Sequence, residues 1–192
     1  MQRYLLTTDT IAPADFEAYV AHQRQTFASP PDSCIAAWLP KFGTPNQMTL
    51  VQDITDLPDL PAVLPLPPGA RLLARAREAV DVIRPFPVAL GDRKLCELRT
   101  YRITPALRDE FLALKTAILP LRESYSPSYG VFTPVTGDTS LVMHLWGYAS
   151  LDDRDAVRAR LKGDAAWSEY ISLILPMIVE MQSSLIMPIL AG

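Results

Sequence analysis

The chain has 192 residues, 49% hydrophobic and 20% charged, a globular mixture long enough to bury a core without disulfides or a structural metal. Its net charge is −3 and its pI is near 5.4. With the 18 Lys and Arg residues scattered along the chain, it lacks the clustered positive surface that phosphate binding requires, so a nucleic-acid partner is excluded.

Alternation over residues 3–11 predicts a first strand, and after Pro13 the residues Phe16, Tyr19, Val20 and Phe27 fall on one helical face. Strands are predicted at 34–40 and 48–54, joined by a turn holding Gly43, Pro45 and Asn46. The stretch that follows carries Pro58, Pro61, Pro65, Pro67, Pro68 and Gly69, too many breakers for a regular helix, and is read as an extended connection with a short helix at 70–76. A closing strand at 80–86 and a linker at 87–92 end the first half.

The second half repeats this order with clearer signals. Residues 95–103 read as a strand, and Thr104 is placed to cap a helix whose first residue is Pro105 and whose apolar stripe is Leu107, Phe111, Leu114, Ile118 and Leu121. Strands at 129–134 and 141–149 form a hairpin around Gly137 and Asp138. Ser150, three residues before Asp153, opens a charged amphipathic helix that Gly163 interrupts. Trp167, Tyr170, Ile174 and Ile178 continue an apolar face on a further helix bent near Pro176, and residues 185–189 close the unit.

The two halves also align locally. Ile11-Ala12-Pro13-Ala14 matches Ile103-Thr104-Pro105-Ala106, and Ile83-Arg84-Pro85-Phe86 matches Ile186-Met187-Pro188-Ile189. The fold class expected is therefore α+β: tandem ferredoxin-like β-α-β-β-α-β units, a degenerate repeat at 1–90 and a fuller one at 91–192. A four-stranded antiparallel sheet with helices on one face leaves the other bare. Two such sheets in one chain can cover each other as a barrel-like pseudo-dimer.

Alternation sorts the candidate site residues. Glu97, Arg99 and Tyr101 share one strand face and Cys96, Leu98 and Thr100 the other, while His144, Trp146 and Tyr148 alternate with Met143, Leu145 and Gly147. In the split topology these two strands are central neighbours, so the polar residues come together. The apolar faces are assigned to the helices and the polar faces to a space between the sheets. Glu97, Arg99, Tyr101, His144, Trp146 and Tyr148 are thus the ligand-pocket candidates, with His144 the candidate catalytic residue. Each also has a plainer role: an ion pair for Glu97 and Arg99, core anchors for the tryptophans, a hydrogen-bonded structural group for His144.

Several classes of site are not expected. Cys34, Cys96, His22 and His144 have no zinc-type spacing, so no metal is expected, and both cysteines are read as free thiols. Neither a phosphate-cradling glycine-rich loop nor a nucleophile-elbow serine is present, and no cofactor is expected. The longest apolar tract, 171–181, is broken by Pro176 and Glu180 and is shorter than the roughly 20 residues a bilayer crossing needs. With no targeting signal read at the start, a cytoplasmic location is expected.

The run Glu97-Leu98-Arg99-Thr100-Tyr101, the strand His144-Leu145-Trp146-Gly147-Tyr148, Ser150-Leu151 with Arg154, and Trp167 after Asp164 together resemble the NIPSNAP family over 94–189. That resemblance implies a ferredoxin-like fold of the dimeric α/β-barrel superfamily. Its members have been linked to vesicle traffic and mitochondrial quality control in eukaryotes, and the family brings no settled activity or catalytic residue. The first half offers Leu5, Thr7 and Asp9 where the second has Glu97, Arg99 and Tyr101, so a site should be one-sided. Two functions stay open: a binding or interaction module for a small apolar or anionic molecule, and a cofactor-free oxygenase or isomerase using the barrel interior with His144 as base. Because one chain supplies both sheets, a homo-oligomer is optional rather than required.

Overall fold

The computed structural model describes residues 1–86 and 95–190. The linker expected at 87–92 and the boundary between the halves lie outside the described residues. The first half contains β1 (Arg3–Ile11), α1 (Phe16–Thr26), β2 (Cys34–Phe42), β3 (Gln47–Asp53) and β4 (Leu72–Arg84). The second contains β5 (Leu95–Ile103), α2 (Arg108–Glu123), β6 (Ser128–Pro134), β7 (Leu141–Tyr148), α3 (Leu151–Lys162), α4 (Ala165–Ile174) and β8 (Ile178–Leu190).

The two aligned tetrapeptides at the first helices do equivalent work. Each ends a strand and enters a 3₁₀ turn, Pro13–Asp15 or Pro105–Leu107, where a proline's fixed φ and missing N–H cost nothing. The Ala12 N–H donates to the Arg71 carbonyl at 2.9 Å, and the Thr104 N–H donates to the Met177 carbonyl at 2.8 Å. Thr104 makes no side-chain cap, contrary to expectation, because the 3₁₀ turn separates it from α2.

All strand pairings are antiparallel, and the order β1-β3-β2-β8-β5-β7-β6-β4 closes on itself as a barrel. Each half keeps the split order, β4-β1-β3-β2 and β8-β5-β7-β6. The halves are sewn together twice, by β2 against β8 and by β6 against β4. Closure leaves neither sheet with a fully open edge, which satisfies backbone groups that an isolated four-stranded sheet would expose.

Two stretches differ from expectation. The helix expected at 70–76 is the start of β4, since β1 offers a free edge on which Arg77 pairs with Thr7 and Ala74 with Thr10. There, ladder hydrogen bonding outweighs the helix propensity of the alternating Ala and Arg residues. In the second half, α4 stops at Ile174, Pro176 sits in a 3₁₀ turn at Leu175–Met177, and Ile178 already belongs to β8. The proline-rich connection does run without helix or strand up to β4. It crosses the outer face of the first half, where buried Leu64 packs with Ile11, Tyr19 and Leu50, and Gln23 Nε2 donates to the Pro65 carbonyl at 2.8 Å.

The barrel interior is apolar. Tyr4, Trp38, Val51, Val80, Cys96, Phe132, Met143, Leu145 and Ile186 form one buried cluster, with Phe86 set among Tyr4, Trp38 and Phe132 at ring separations of 5.6–6.2 Å. This overturns the assignment of faces. Cys96, Leu98, Met143 and Leu145 face the barrel axis, while Tyr101, Trp146 and Tyr148 pack under the helices with Phe111, Leu119, Val157, Leu161, Tyr170 and Ile174. An eight-stranded barrel is just wide enough for side chains to fill it and hydrates charges poorly, as the burial-raised carboxyl pKa of Glu78, opposite Leu6 on this face, shows. The layer between sheet and amphipathic helices has a perimeter open to water, so charged side chains are tolerated there.

Candidate functional site

β5 and β7 pair so that Glu97 lies opposite Trp146, Arg99 opposite His144 and Leu95 opposite Tyr148. All six sequence-predicted residues, Glu97, Arg99, Tyr101, His144, Trp146 and Tyr148, line one cavity of about 270 Å³. It lies between the sheet and the helices, not inside the barrel. Its remaining wall comes from Lys115 and Arg122 of α2, Arg158, Leu161 and Lys162 of α3, Trp167, Tyr170, Ile171 and Ile174 of α4, and Leu175, Ile178 and Met181 beyond it. Leu175 and Met181 are about half exposed and mark its mouth.

The caps that hold the covering helices are local. Ser150 Oγ accepts the Asp153 N–H at 3.1 Å while Asp153 Oδ2 accepts the Ala149 N–H at 2.9 Å, a reciprocal box that starts α3. Asp164 Oδ1 caps α4 by accepting the Trp167 N–H at 2.9 Å, and its Oδ2 accepts from the Tyr125 hydroxyl at 2.7 Å. With α3 fixed, Arg154 and Arg158 reach down to the sheet.

Glu97 is buried at 1% exposure, and its Oε1 accepts from Arg154 Nη2 at 2.8 Å, Ser183 Oγ at 2.7 Å and Arg158 Nη1 at 3.4 Å. Burial alone would raise its carboxyl pKa. The hydrogen bonds from Arg154 and Ser183 and the charges of Arg99 and Arg154 outweigh it, so the carboxyl is held below the ordinary range. Glu97 is thus a clamped carboxylate whose Oε1 carries the close contacts, while Oε2 accepts from Tyr148 Oη at 3.5 Å.

The other side of the cavity is cationic. Arg122 is buried, donates to Tyr148 Oη and Ser126 Oγ at 2.8 Å each, and lies over the Trp146 ring at 4.0 Å. Lys115 is 1% exposed, with its Nζ 3.1 Å from His144 Nδ1 and 4.9 Å from the centre of the Trp146 ring. Burial first, then the charges of Arg122 and Arg99, drive the Lys115 pKa well below that of a free lysine. Arg99 stands over Tyr101 at 5.3 Å, and its Nε is buried with no hydrogen-bond partner among the described residues. Among the described residues none of these three cations forms a salt bridge.

His144 joins the two sides. Its Nδ1 accepts from Trp146 Nε1 at 2.8 Å, and because an indole nitrogen only donates, the neutral ring carries its proton on Nε2. That Nε2 is buried with no partner among the described residues. Burial, then Lys115, Arg99 and Arg122, push the His144 pKa well down, so the ring is neutral. The thiols are not candidates for chemistry: Cys34 and Cys96 are free, and burial pushes each up to about 12.

The NIPSNAP family model matches residues 96–190, the stretch that builds this layer. A NIPSNAP domain protein from Burkholderia xenovorans is 32% identical, covering 47% of this chain and 90% of that one, with a TM-score of 0.45. The chain belongs to the NIPSNAP family through its second half. Human NipSnap homolog 2 is 27% identical over 103 residues, 54% of this chain and 36% of that protein, so the chain spans about a third of that relative's length. Over the whole chain, a candidate monooxygenase from Lactobacillus acidophilus has a TM-score of 0.67 at 10% identity, covering 100% of this chain and 96% of that one, a likeness of fold.

Within the NIPSNAP half, Ser150, Asp164 and Arg154 are thereby explained as two caps and a carboxylate clamp. Sequence reasoning missed Lys115, Arg122 and Arg158 as wall residues. Phe111, Lys115, Leu119 and Arg122 are the buried face of α2, rotated from the expected stripe, and the signal was two cations at helical spacing among apolar residues. The described residues of the first half show no counterpart: Asp9 is spanned by Arg75 at 2.5 and 2.7 Å and by Tyr19 Oη at 2.8 Å, an internally neutral cluster.

Proposed function

We propose that the cavity under α2, α3 and α4 binds a small organic anion, a carboxylate carried on an apolar body. The observation that carries this reading is the charge of the wall. Among the described residues Arg122 and Arg99 face the cavity without an ion-pair partner, while Glu97, the acid of the wall, is already held by Arg154, Arg158 and Ser183. Buried charge left uncompensated is costly, and a bound anion would supply the missing partner. Arg99 Nε and His144 Nε2–H would gain an acceptor. Trp167, Tyr170, Ile174 and Met181 suit an aryl or alkyl body at the mouth.

Calorimetric titration with phenylacetate, and with benzylamine as a probe of similar size and opposite charge, tests this reading. Phenylacetate is expected to bind and to lose at least about tenfold in affinity in Arg122→Gln, while benzylamine does not bind. Equal binding of both probes, or of neither, overturns it. The enzyme reading draws on the same layer through His144. In the tautomer set by Trp146 the ring presents a proton at Nε2, so toward a ligand oxygen it acts as a donor and not as a base.

A further inference from the structure

We propose that Lys115 Nζ is a nucleophilic amine that forms an imine with a 2-oxo acid bearing an apolar side chain. This rests on the anion-binding reading of the cavity and adds a covalent site to it. Three geometric facts support it. Lys115 lines the cavity although only 1% of it is exposed, so its reach to small molecules runs through that space. Among the described residues its Nζ has one hydrogen-bonding neighbour, His144 Nδ1 at 3.1 Å, and no carboxylate to hold it as an ammonium ion. Finally, Trp146 Nε1–H donates to that same Nδ1, so the ring nitrogen carries no proton and Lys115 can only donate to it.

The consequence is an amine whose lone pair is not engaged. A neutral lysine in a desolvated site beside other cations is the usual arrangement for carbonyl addition. Arg122 and Arg99 add to the effect: they disfavour an ammonium at Nζ, and they can hold the carboxylate of an incoming oxo acid. The step balances without an oxidant or reductant. The amine lone pair attacks the keto carbon, a proton passes from nitrogen to oxygen to give the carbinolamine, and loss of one water leaves the C=N bond. The water carries away the carbinolamine hydroxyl and the remaining proton of the nitrogen, and His144 Nε2–H, unpartnered at the same wall among the described residues, hydrogen-bonds the departing oxygen without giving up its proton.

The experiment uses the full chain with phenylpyruvate and sodium cyanoborohydride, which reduces the imine to a stable secondary amine, followed by peptide mapping. Exposed Lys41 serves as the internal reference. Lys115 is expected to be labelled at least about tenfold faster than Lys41 at pH 6, where a surface amine is almost wholly protonated. Phenylacetate, which has the ring and carboxylate but no keto group, is expected to slow labelling at Lys115 and leave Lys41 unchanged. Phenylacetate binding with Lys115 labelled no faster than Lys41 overturns the imine while leaving the anion site standing. Absence of both binding and selective labelling overturns the two together. A folded Lys115→Met protein that still binds phenylacetate and loses the fast label supports the assignment. The mapping of the unaltered chain decides the matter without that variant.

Discussion

Glu97→Gln isolates the carboxylate of the cavity wall. The substitution keeps the side-chain volume and the Ser183 contact but removes the charge that Arg154 and Arg158 approach at 2.8 and 3.4 Å. Removing one partner of a fully buried ion pair costs about 3–5 kcal/mol. Here the arginine side chains are 18% and 40% exposed and can turn toward water, which reduces the loss to about 2 kcal/mol. For a chain of this size that corresponds to a fall in Tm of about 4–8 °C. The pH dependence gives a second handle. Glu97 has a folded pKa below its unfolded one, so its contribution is fully present above the unfolded value and is lost as pH falls through the folded value. Urea unfolding of both proteins between pH 7 and about pH 3 should therefore show a gap that is widest at neutrality and narrows in acid, since glutamine does not titrate. A variant as stable as the parent at pH 7, or a gap that does not change with pH, would refute the account of Glu97 as a charge-clamping carboxylate.

Other outcomes are expected. Lys115→Met, which replaces a buried amine lacking a carboxylate partner with an apolar side chain of similar length, should leave urea stability equal or higher by about 1 kcal/mol, and a loss above about 2 kcal/mol would mean that the amine has an essential structural partner. Gly147→Ala places a Cβ 2.3 Å from the Tyr129 ring, inside the barrel. Chemical denaturation should register about 2 kcal/mol of overpacking, and a neutral result would contradict the packed interior. Expressed separately, residues 1–90 and 91–192 should each fail to give a stable monomer by size exclusion and circular dichroism, because each loses both seams and the cover of its inner face. Two monomers as stable as the whole chain would show that the seams contribute little.

Much of the architecture was legible because it depends on local pattern. Period-two alternation placed β1 and β5, Pro13 and Pro105 marked both helix entries, and the split topology brought Glu97, Arg99, His144 and Trp146 to one face in register. Alternation cannot say which face is which. It separates Glu97 from Cys96 equally well whether the helices lie on one side or the other, and only barrel closure, which excludes water from the axis, decides the matter. Lys115 was missed for a related reason. A lysine on a helix is normally a solvated end on an apolar stem, and nothing within α2 distinguishes one pinned under the helix by His144 and Trp146 from one at the surface. The start of β4 was hidden by residues that favour helix in isolation and strand once β1 offers an edge.

The two seams, β2 with β8 and β6 with β4, have a consequence for how this barrel tolerates change. In a barrel assembled from two chains, weakening a seam shifts an equilibrium that depends on protein concentration, and dilution can empty it. Here the second sheet is tethered to the first and meets it at an effective concentration set by the connecting chain, independent of how much protein is present. A seam substitution should therefore lower the unfolding free energy by the same amount at every protein concentration. The first half, relieved of the need to present an identical surface to a twin, is also free to diverge. Its neutral Asp9 cluster and its proline-rich cover, where the second half keeps two helices and a charged cavity, are what such freedom allows.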